Sequence, residues 1–318
     1  MVTRLPRVAS RRPANLARAT DLAAFFVRAE KAASTRRAYR TDFLLFQAWC
    51  AAHAVSAFPA MPQTVAAFIA TEATRLKVST IRRRLAAIRY VHKLAGFPLP
   101  TDDEQVSATV RGIRRTIGIA PVKKMAVTSD RLLAMVALQD QTRAALRDRA
   151  LLLLGFAGAF RRSELVALDV EDVTETTQGL QVMVRQSKTD QEGAGTTIAI
   201  VRGTIACPVA ALSAWLAAAA ITEGPLFRRM SKADRVLPYR LTAQSVALIV
   251  KAHAKRVGLN PEHFSGHSLR AGFLVSAARR GASVFKMMDV SRHRSVDTLK
   301  GYVRDSEMFT NHAGHGLL

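Results

Sequence analysis

Residues 35–52 read TRRAYRTDFLLFQAWCAA and repeat aromatic side chains every three or four positions. This period matches one face of an α-helix, with Ser34 as its candidate N-cap. The stripe could offer stacking platforms for nucleic-acid bases. Its regular spacing is more typical of a helix face that is buried in a core. The aromatic residues are Tyr39, Phe43, Phe46 and Trp49.

Sequence on both sides of this helix extends the helical pattern, at residues 15–31, 64–76, 80–94 and 102–117. Glycine, proline and two lysines then interrupt the pattern at residues 118–124. We therefore expect a domain boundary there. The predicted organisation is a flexible basic arm over residues 1–14, a helical domain over 15–120, a linker over 121–128, and a second domain with a C-terminal tail over 129–318.

The second part of the chain combines helical patterns with strand patterns. Two segments with alternating or β-branched residues, 180–185 and 196–201, predict paired strands around a polar turn at 186–193. The predicted fold class is mainly α with a small antiparallel β-sheet, in two domains. Helical patterns surround the strands at 129–138, 143–156, 208–220, 242–257, 268–280 and 284–289.

The charge of the chain is large and uneven. It carries 47 Lys and Arg against 24 Asp and Glu, a net charge of +23. Residues 1–124 account for +15 of this excess. A polyanion is the expected partner, because lysines and arginines that meet phosphates release counterions. Solubility alone would need much less charge.

Other features exclude several protein classes. Cys50 and Cys207 are the two cysteines, too few for a disulfide framework or a zinc finger, and they fit a reducing cytoplasm. The longest apolar runs are shorter than a membrane span requires. The N-terminal residues lack the apolar core of a secretory signal. They resemble a mitochondrial transit peptide in being rich in arginine, but a flexible arm is the simpler interpretation.

Basic residues on the predicted helix at 80–94 are candidates for DNA contact. Its apolar residues form one face, and four arginines are expected to project elsewhere, towards phosphates or a groove. A solvated helix face is the ordinary alternative. The predicted DNA-binding residues are Arg36, Arg37, Arg82, Arg83, Arg84, Arg89, Lys123 and Lys124.

Four short segments carry candidate chemistry. Arg161 follows a buried apolar run, and Glu164 comes one helical turn later, where it can orient the guanidinium. Lys188 lies in the polar turn between the strands. His267 and Arg270 are three residues apart and share one face of a helical turn. Each feature alone is compatible with a purely structural role.

The fourth segment, residues 293–302, begins with His293 and ends with Tyr302, one of four tyrosines in the chain. A metal pair of His263 and His267 is discounted, because Gly266 separates them and no other ligand completes a set. No metal and no cofactor are expected. Arginines can bind a phosphate, and a tyrosine oxygen can attack it, so the set suits metal-free phosphoryl transfer.

Taken in order, these segments resemble the tyrosine recombinase (phage integrase) family. The matching stretches are Arg161 to Leu165, Lys188, His267 to Arg270, and His293 with Tyr302. The helical front part is similar to that family's SAM-like core-binding domain. The resemblance covers nearly the whole chain from about residue 15.

The resemblance implies a role for each candidate residue. Tyr302 would form a 3′-phosphotyrosyl link, and Arg161 and Arg270 would clamp the scissile phosphate. Lys188 would protonate the leaving 5′ oxygen, and His267 would assist proton transfer from the tyrosine. Two further roles are a hydrogen bond from His293 to the phosphate and support of the site by Glu164.

The same resemblance implies the partners. They would be double-stranded DNA with inverted-repeat recombination sites, and further copies of the chain. The protein would be a monomer or weak dimer when free and a homo-tetramer on synapsed DNA. Accessory recombinases or DNA-bending proteins are candidate partners, the setting is the bacterial cytoplasm and nucleoid, and no membrane is involved.

The sequence departs from the family pattern at several positions. The residue before the final histidine is usually glycine and here is Arg292. Phe160 and Arg162 replace small or aliphatic residues, Ala271 follows the second arginine, and Arg304 stands where many members have histidine. Two alternatives remain open: a type IB topoisomerase, which shares this chemistry, and a non-catalytic helix-turn-helix regulator.

Overall fold

The protein folds into two compact units, residues 1–122 and 123–318. The structure is a computed structural model that describes residues 14–119, 124–137, 140–185, 195–306 and 314. Most described residues are helical, and the strands form small antiparallel sheets. The predicted fold class is therefore confirmed.

The described part of the first unit consists of five α-helices and a short 3-10 turn. Phe46 on the second helix is fully buried, and its ring lies 5.0 Å from that of Phe68. The aromatic stripe is thus core, as predicted. Ser34 lies inside that helix, and Ala32 occupies the N-cap position instead. The helices are α1 (Ala14–Ala29), α2 (Ala33–Ala52), α3 (Pro62–Ala73), α4 (Val78–Leu94) and α5 (Glu104–Ile117).

The second unit joins eight helices to two small sheets in its described residues. The helices are α6 (Ser129–Ala137), α7 (Arg143–Ala157), α8 (Arg162–Ala167), α9 (Pro208–Ala219), α10 (Ala243–Arg256), α11 (Ser268–Arg279), α12 (Val284–Ser291) and α13 (Val296–Ser306). The strands are β1 (Val173–Glu175), β2 (Gly179–Val184), β3 (Thr196–Val201), β4 (Arg228–Met230) and β5 (Val236–Arg240).

The sheets are antiparallel and follow the order β1-β2-β3 and β4-β5. In β3 the side chains of Ile198 and Ile200 are buried and their neighbours are exposed, which is the alternation that predicted this strand. The sequence prediction missed β1, β4 and β5. They are three to five residues long, and β5 contains Pro238, so they lack the alternation that marks a strand.

Helix α7 forms the centre of the second unit. Its residues 151–154 are all buried, which explains why this run is apolar on every side. Trp215 of α9 is also fully buried, and its indole Nε1 donates to the Leu226 carbonyl at 2.9 Å. A smaller apolar cluster formed by Leu274, Met287 and Leu299 joins α11, α12 and α13.

Residues 125–128 pack within the second unit. Val127 is fully buried, and its N–H donates to the Ser268 carbonyl at 2.9 Å. The backbone approaches so closely that a Cβ on Gly272 would lie 1.7 Å from the Val127 carbonyl oxygen. The predicted linker over 121–128 is therefore wrong at its carboxyl end, because an apolar Ala-Val pair there finds a buried partner.

Among the described helices, none is both long and apolar enough to span a bilayer.

Candidate active site

Arg161 stands at the sharp turn between α7 and α8. The turn begins with Ala159 in the left-handed region, φ 45°, and continues through the buried Phe160. Arg161 takes the N-cap position of α8, where its N–H donates to the Glu164 carboxylate at 2.9 Å. The guanidinium NH1 donates to the other oxygen of Glu164 at 2.6 Å. The predicted Arg–Glu pair is present and fixes the arginine at two points.

Glu164 is 3% exposed and holds two guanidinium groups. Besides Arg161, it accepts a hydrogen bond from NH2 of Arg292 at 2.8 Å. Burial opposes ionisation of this carboxyl, but the charge of Arg292 and the hydrogen bond from Arg161 outweigh it. The pKa of Glu164 therefore lies below its ordinary value. It remains a carboxylate at neutral pH.

Arg270 projects from the first turn of α11 and is 1% exposed. Its NH1 donates to the Ala159 carbonyl at 2.7 Å, and its NH2 lies 3.1 Å from Nε2 of His293. Burial, followed by the like charge of Arg161, lowers the pKa of Arg270 to about 9. The guanidinium therefore remains charged at neutral pH, rigid and close to Arg161.

His293 is held between Ser291 and Arg270. Its Nδ1 lies 2.7 Å from the Ser291 hydroxyl oxygen, and that hydroxyl donates to the Met287 carbonyl at 2.6 Å. NH2 of Arg270 lies 3.3 Å from Nδ1 and 3.1 Å from Nε2 of the imidazole. Burial and the charge of Arg270 lower the pKa of His293 to about 4. The imidazole is neutral at physiological pH.

Arg161, His267, Arg270 and His293 line one groove of about 830 Å³. His267 is the N-cap residue of α11 and is exposed to the groove. Tyr302 lies on α13 and lines an adjoining cavity of about 340 Å³. The groove and the cavity share Ser265, His267 and Thr298. The tyrosine therefore lies next to the site that contains the two arginines.

The groove is strongly basic, and a polyanion matches it electrostatically. Arg162 and Arg294 also line it and are exposed. Within the ranges that the structure describes, no group of three or more His, Cys, Asp or Glu residues is placed to hold a metal ion.

Some predicted residues fall outside the described chain. Lys188, Lys123 and most of the C-terminal tail belong to this set, and their predicted roles stay predictions. Lys124 is described. It is exposed, its Nζ donates to the Glu262 carbonyl at 2.6 Å, and it lines the same cavity as Tyr302.

The arginines of α4 do not share one environment. Arg82 is exposed, and Arg89 is 46% exposed and paired with Asp102. Arg83 is half-exposed and donates through Nε to the buried Asp42 at 2.7 Å. On α2, Arg36 and Arg37 are both exposed.

Arg84 differs from the other predicted DNA contacts. It is 6% exposed, pairs with Glu72, and lies 5.7 Å from the centre of the Phe68 ring. The prediction that it faces DNA is wrong for this side chain. It falls three residues after Ile81 and four before Ile88. Helical spacing therefore places Arg84 on the apolar face of α4, and this could have been read from the sequence.

Arg292 is the residue of the site that the sequence did not suggest as functional. It is buried at the end of α12, with φ at 56°, and its guanidinium reaches Glu164. One feature of the sequence could have indicated its importance: Arg292 is a bulky basic residue at a position that is usually glycine in the phage integrase family.

Comparisons with known proteins agree with this geometry. Residues 126–308 match the profile of the phage integrase family, and residues 22–96 match that of the phage integrase N-terminal SAM-like domain. The chain is 39% identical over 289 residues to the integrase/recombinase xerD homolog of Selenomonas ruminantium, covering 89% of this chain and 85% of that protein. It is 25% identical over 283 residues to recombinase cre of Escherichia phage P1, covering 82% and 81%.

A solved structure shares the fold. The XerH site-specific recombinase, in a post-cleavage complex with palindromic difH substrate, superposes with a TM-score of 0.55 at 14% identity, covering 78% of this chain and 70% of that one. Family profiles, relatives and fold therefore agree. This chain belongs to the phage integrase family, and it is a site-specific tyrosine recombinase.

Proposed function

We propose that this recombinase cuts and rejoins double-stranded DNA through a 3′-phosphotyrosyl intermediate on Tyr302, without a metal ion or ATP. One observation carries the proposal. Four of the candidate catalytic residues, Arg161, His267, Arg270 and His293, line a single groove, and Tyr302 lines a cavity that shares His267 with it. A phosphate in the groove would therefore lie beside both guanidinium groups and within the neighbourhood of the phenol.

In the proposed cleavage step, Oη of Tyr302 attacks the scissile phosphorus. The new P–O bond to tyrosine forms as the bond from phosphorus to the 5′ oxygen breaks. Arg161 and Arg270 bind the non-bridging oxygens and stabilise the charge that develops on them. The reverse reaction with another 5′ hydroxyl restores the phosphodiester, so the bond energy is conserved and no nucleotide is consumed.

Two proton transfers accompany this step. A free phenol has a pKa of about 10, so the tyrosine needs a base or a positive field at neutral pH. His267 takes the phenolic proton, and Lys188 supplies a proton to the leaving 5′ oxygen. His293 donates a hydrogen bond to the phosphate through a ring N–H.

The proposed substrate is duplex DNA with inverted-repeat sites, bound by a tetramer during synapsis and by a monomer or weak dimer before it. The net charge of +23 supports a polyanionic partner. XerH was solved with its difH substrate, and lambda integrase with a COC′ core site. Accessory recombinases or DNA-bending proteins belong to the same proposal.

Covalent trapping tests the mechanism. The full-length protein is incubated with nicked duplexes from the DNA that flanks its gene, so that cleavage releases a short fragment and traps the intermediate. We expect an SDS-resistant protein–DNA adduct that persists in EDTA and without ATP. Tyr302→Phe should bind the same DNA and form no adduct.

The other outcomes are equally informative. An adduct that survives in Tyr302→Phe overturns the assignment of the nucleophile, and strong inhibition by EDTA overturns the metal-free chemistry. Relaxation of supercoiled plasmid at unselected sites, without strand exchange, would show a topoisomerase instead of a recombinase.

A further inference from the structure

Arg292 lies behind the groove, where it has no access to a bound phosphate. It is 9% exposed, and it is absent from the residues that line either cavity. Its backbone has φ 56° and ψ 42°, a left-handed conformation that is strained for a non-glycine residue. Glycine would adopt this conformation freely. The side chain must therefore contribute something that offsets the backbone cost.

Arg292 contacts the turn that presents Arg161 at three places. Its NH1 donates to the Gly158 carbonyl at 3.1 Å, and its NH2 lies 3.4 Å from the Ala159 carbonyl. The guanidinium carbon lies 5.1 Å from the centre of the Phe160 ring. NH1 also donates to the Val290 carbonyl at 2.7 Å, which ties this turn to α12.

Three candidate catalytic residues share neighbours with Arg292. Arg161 connects to it through the shared carboxylate of Glu164. Arg270 donates to the Ala159 carbonyl, which Arg292 also approaches. His293 is the next residue in the chain. Displacement of Arg292 would therefore move the supports of all three.

The charges of this cluster point to a second effect. Arg161 and Glu164 alone sum to zero, so without Arg292 the charge of Arg161 would be fully compensated and Arg270 would be the uncompensated cation of the two that are proposed to bind the phosphate. With Arg292 the buried group carries a net charge of +1, and Glu164 divides its two oxygens between two arginines. Glu164 therefore compensates less of the Arg161 charge, and Arg161 attracts an anion in the groove more strongly. Water screens this attraction little where the side chains are buried.

We propose that Arg292 is a positioning residue that neutralises Glu164 and locks the Gly158–Arg161 turn, so that Arg161 and His293 are held ready for the phosphate. This inference rests on the proposed cleavage chemistry and adds a residue that does not touch the DNA. It predicts that Arg292 affects the cleavage rate through Glu164, and leaves DNA affinity nearly unchanged.

The test compares single-turnover cleavage by Arg292→Gly and Arg292→Lys with the wild-type protein. Glycine fits the left-handed backbone, so folding is expected to survive, and unfolding in urea checks this. We expect Arg292→Gly to lower the cleavage rate by about 10–100-fold with little change in the DNA dissociation constant. Lysine retains the charge but cannot reach all partners, so its rate should be intermediate.

A pH profile and a double-mutant cycle separate positioning from a general loss of structure. Without Arg292 the pKa of Glu164 should rise, and the acidic limb of the cleavage profile should move to higher pH. In a Glu164→Gln background, Arg292→Gly should cost much less than it does alone. Ala220→Gly, at the left-handed end of α9, is the matched backbone control and should cleave at the wild-type rate.

Several results would overturn the inference. They are a wild-type cleavage rate in Arg292→Gly, costs that add independently of Glu164, or a rate loss fully matched by weaker DNA binding. The proposed function fails separately, if the wild-type protein itself forms no adduct. A wild-type adduct with an unaffected Arg292→Gly rate would refute only the role of Arg292.

Discussion

Removal of the Glu72 carboxylate should destabilise the first unit far more than loss of an exposed ion pair. Glu72 is 3% exposed and is the close acidic partner of Arg84, which is itself 6% exposed. Loss of one partner of a buried pair costs about 3–5 kcal/mol, because the other charge stays buried. Asp42 remains 3.8 Å from Arg84 and offsets part of this cost. We therefore expect Glu72→Ala to lower the free energy of unfolding by about 2–4 kcal/mol.

Urea unfolding of the full-length protein, followed by circular dichroism, measures this change. The matched control is Glu104→Ala, which breaks an ion pair with Arg111 whose side chains are 78% and 58% exposed. That change should cost less than about 1 kcal/mol. If Glu72→Ala and Glu104→Ala unfold at the same urea concentration, the buried pair does not stabilise the core as argued.

The Arg84–Glu72 pair also allows a test of whether Arg84 belongs to the core or contacts DNA. Replacement of both partners, Arg84→Met with Glu72→Leu, keeps the volume and removes both charges, so stability should change by less than about 1.5 kcal/mol. DNA affinity should be retained in this double variant, whereas Arg82→Ala should weaken binding and reduce its salt dependence. Equal losses of affinity in the two proteins would refute the burial argument.

Three further predictions concern the second unit. Gly272→Ala should destabilise it by about 1–3 kcal/mol, because the added methyl would meet the Val127 carbonyl at 1.7 Å; Gly112→Ala on α5, where nothing lies within 4 Å, should be neutral or stabilising in the same urea assay. Arg161→Lys should lower single-turnover cleavage by about 100-fold, since an ammonium cannot bind Glu164 and a phosphate with two parallel hydrogen bonds; retained cleavage would contradict this. The pKa of His293 is about 4, so the imidazole stays neutral as pH falls from 8 to 6, and the pH profiles of wild type and His293→Gln should have the same shape there. If the cleavage rate of the wild-type protein changed with pH near 6.5 and that of His293→Gln did not, the histidine would ionise in this range.

Much of the fold follows from local patterns. Periodicity along α2 and α7 predicts both helices within a few residues of their ends, because a helix repeats its environment every three or four positions. Arg161, His267 and Arg270, which the sequence motifs and the family resemblance singled out as candidates, line one groove, and their catalytic roles stay predictions. Short strands such as β4 were missed, because three residues are too few to show the alternation of apolar and polar side chains that marks a strand.

The sequence by itself determined the basic charge, the helical periods and the chemical types available for catalysis, because each depends only on nearby residues. Tertiary structure decided which arginines face solvent and which neutralise buried carboxylates. Arg84 meets Glu72 across 12 residues and Arg292 meets Glu164 across 128. The neutral state of the His293 imidazole depends likewise on burial and on the nearby charge of Arg270. Burial of a charge is a property of its neighbours in space, and these contacts form only when distant segments come together.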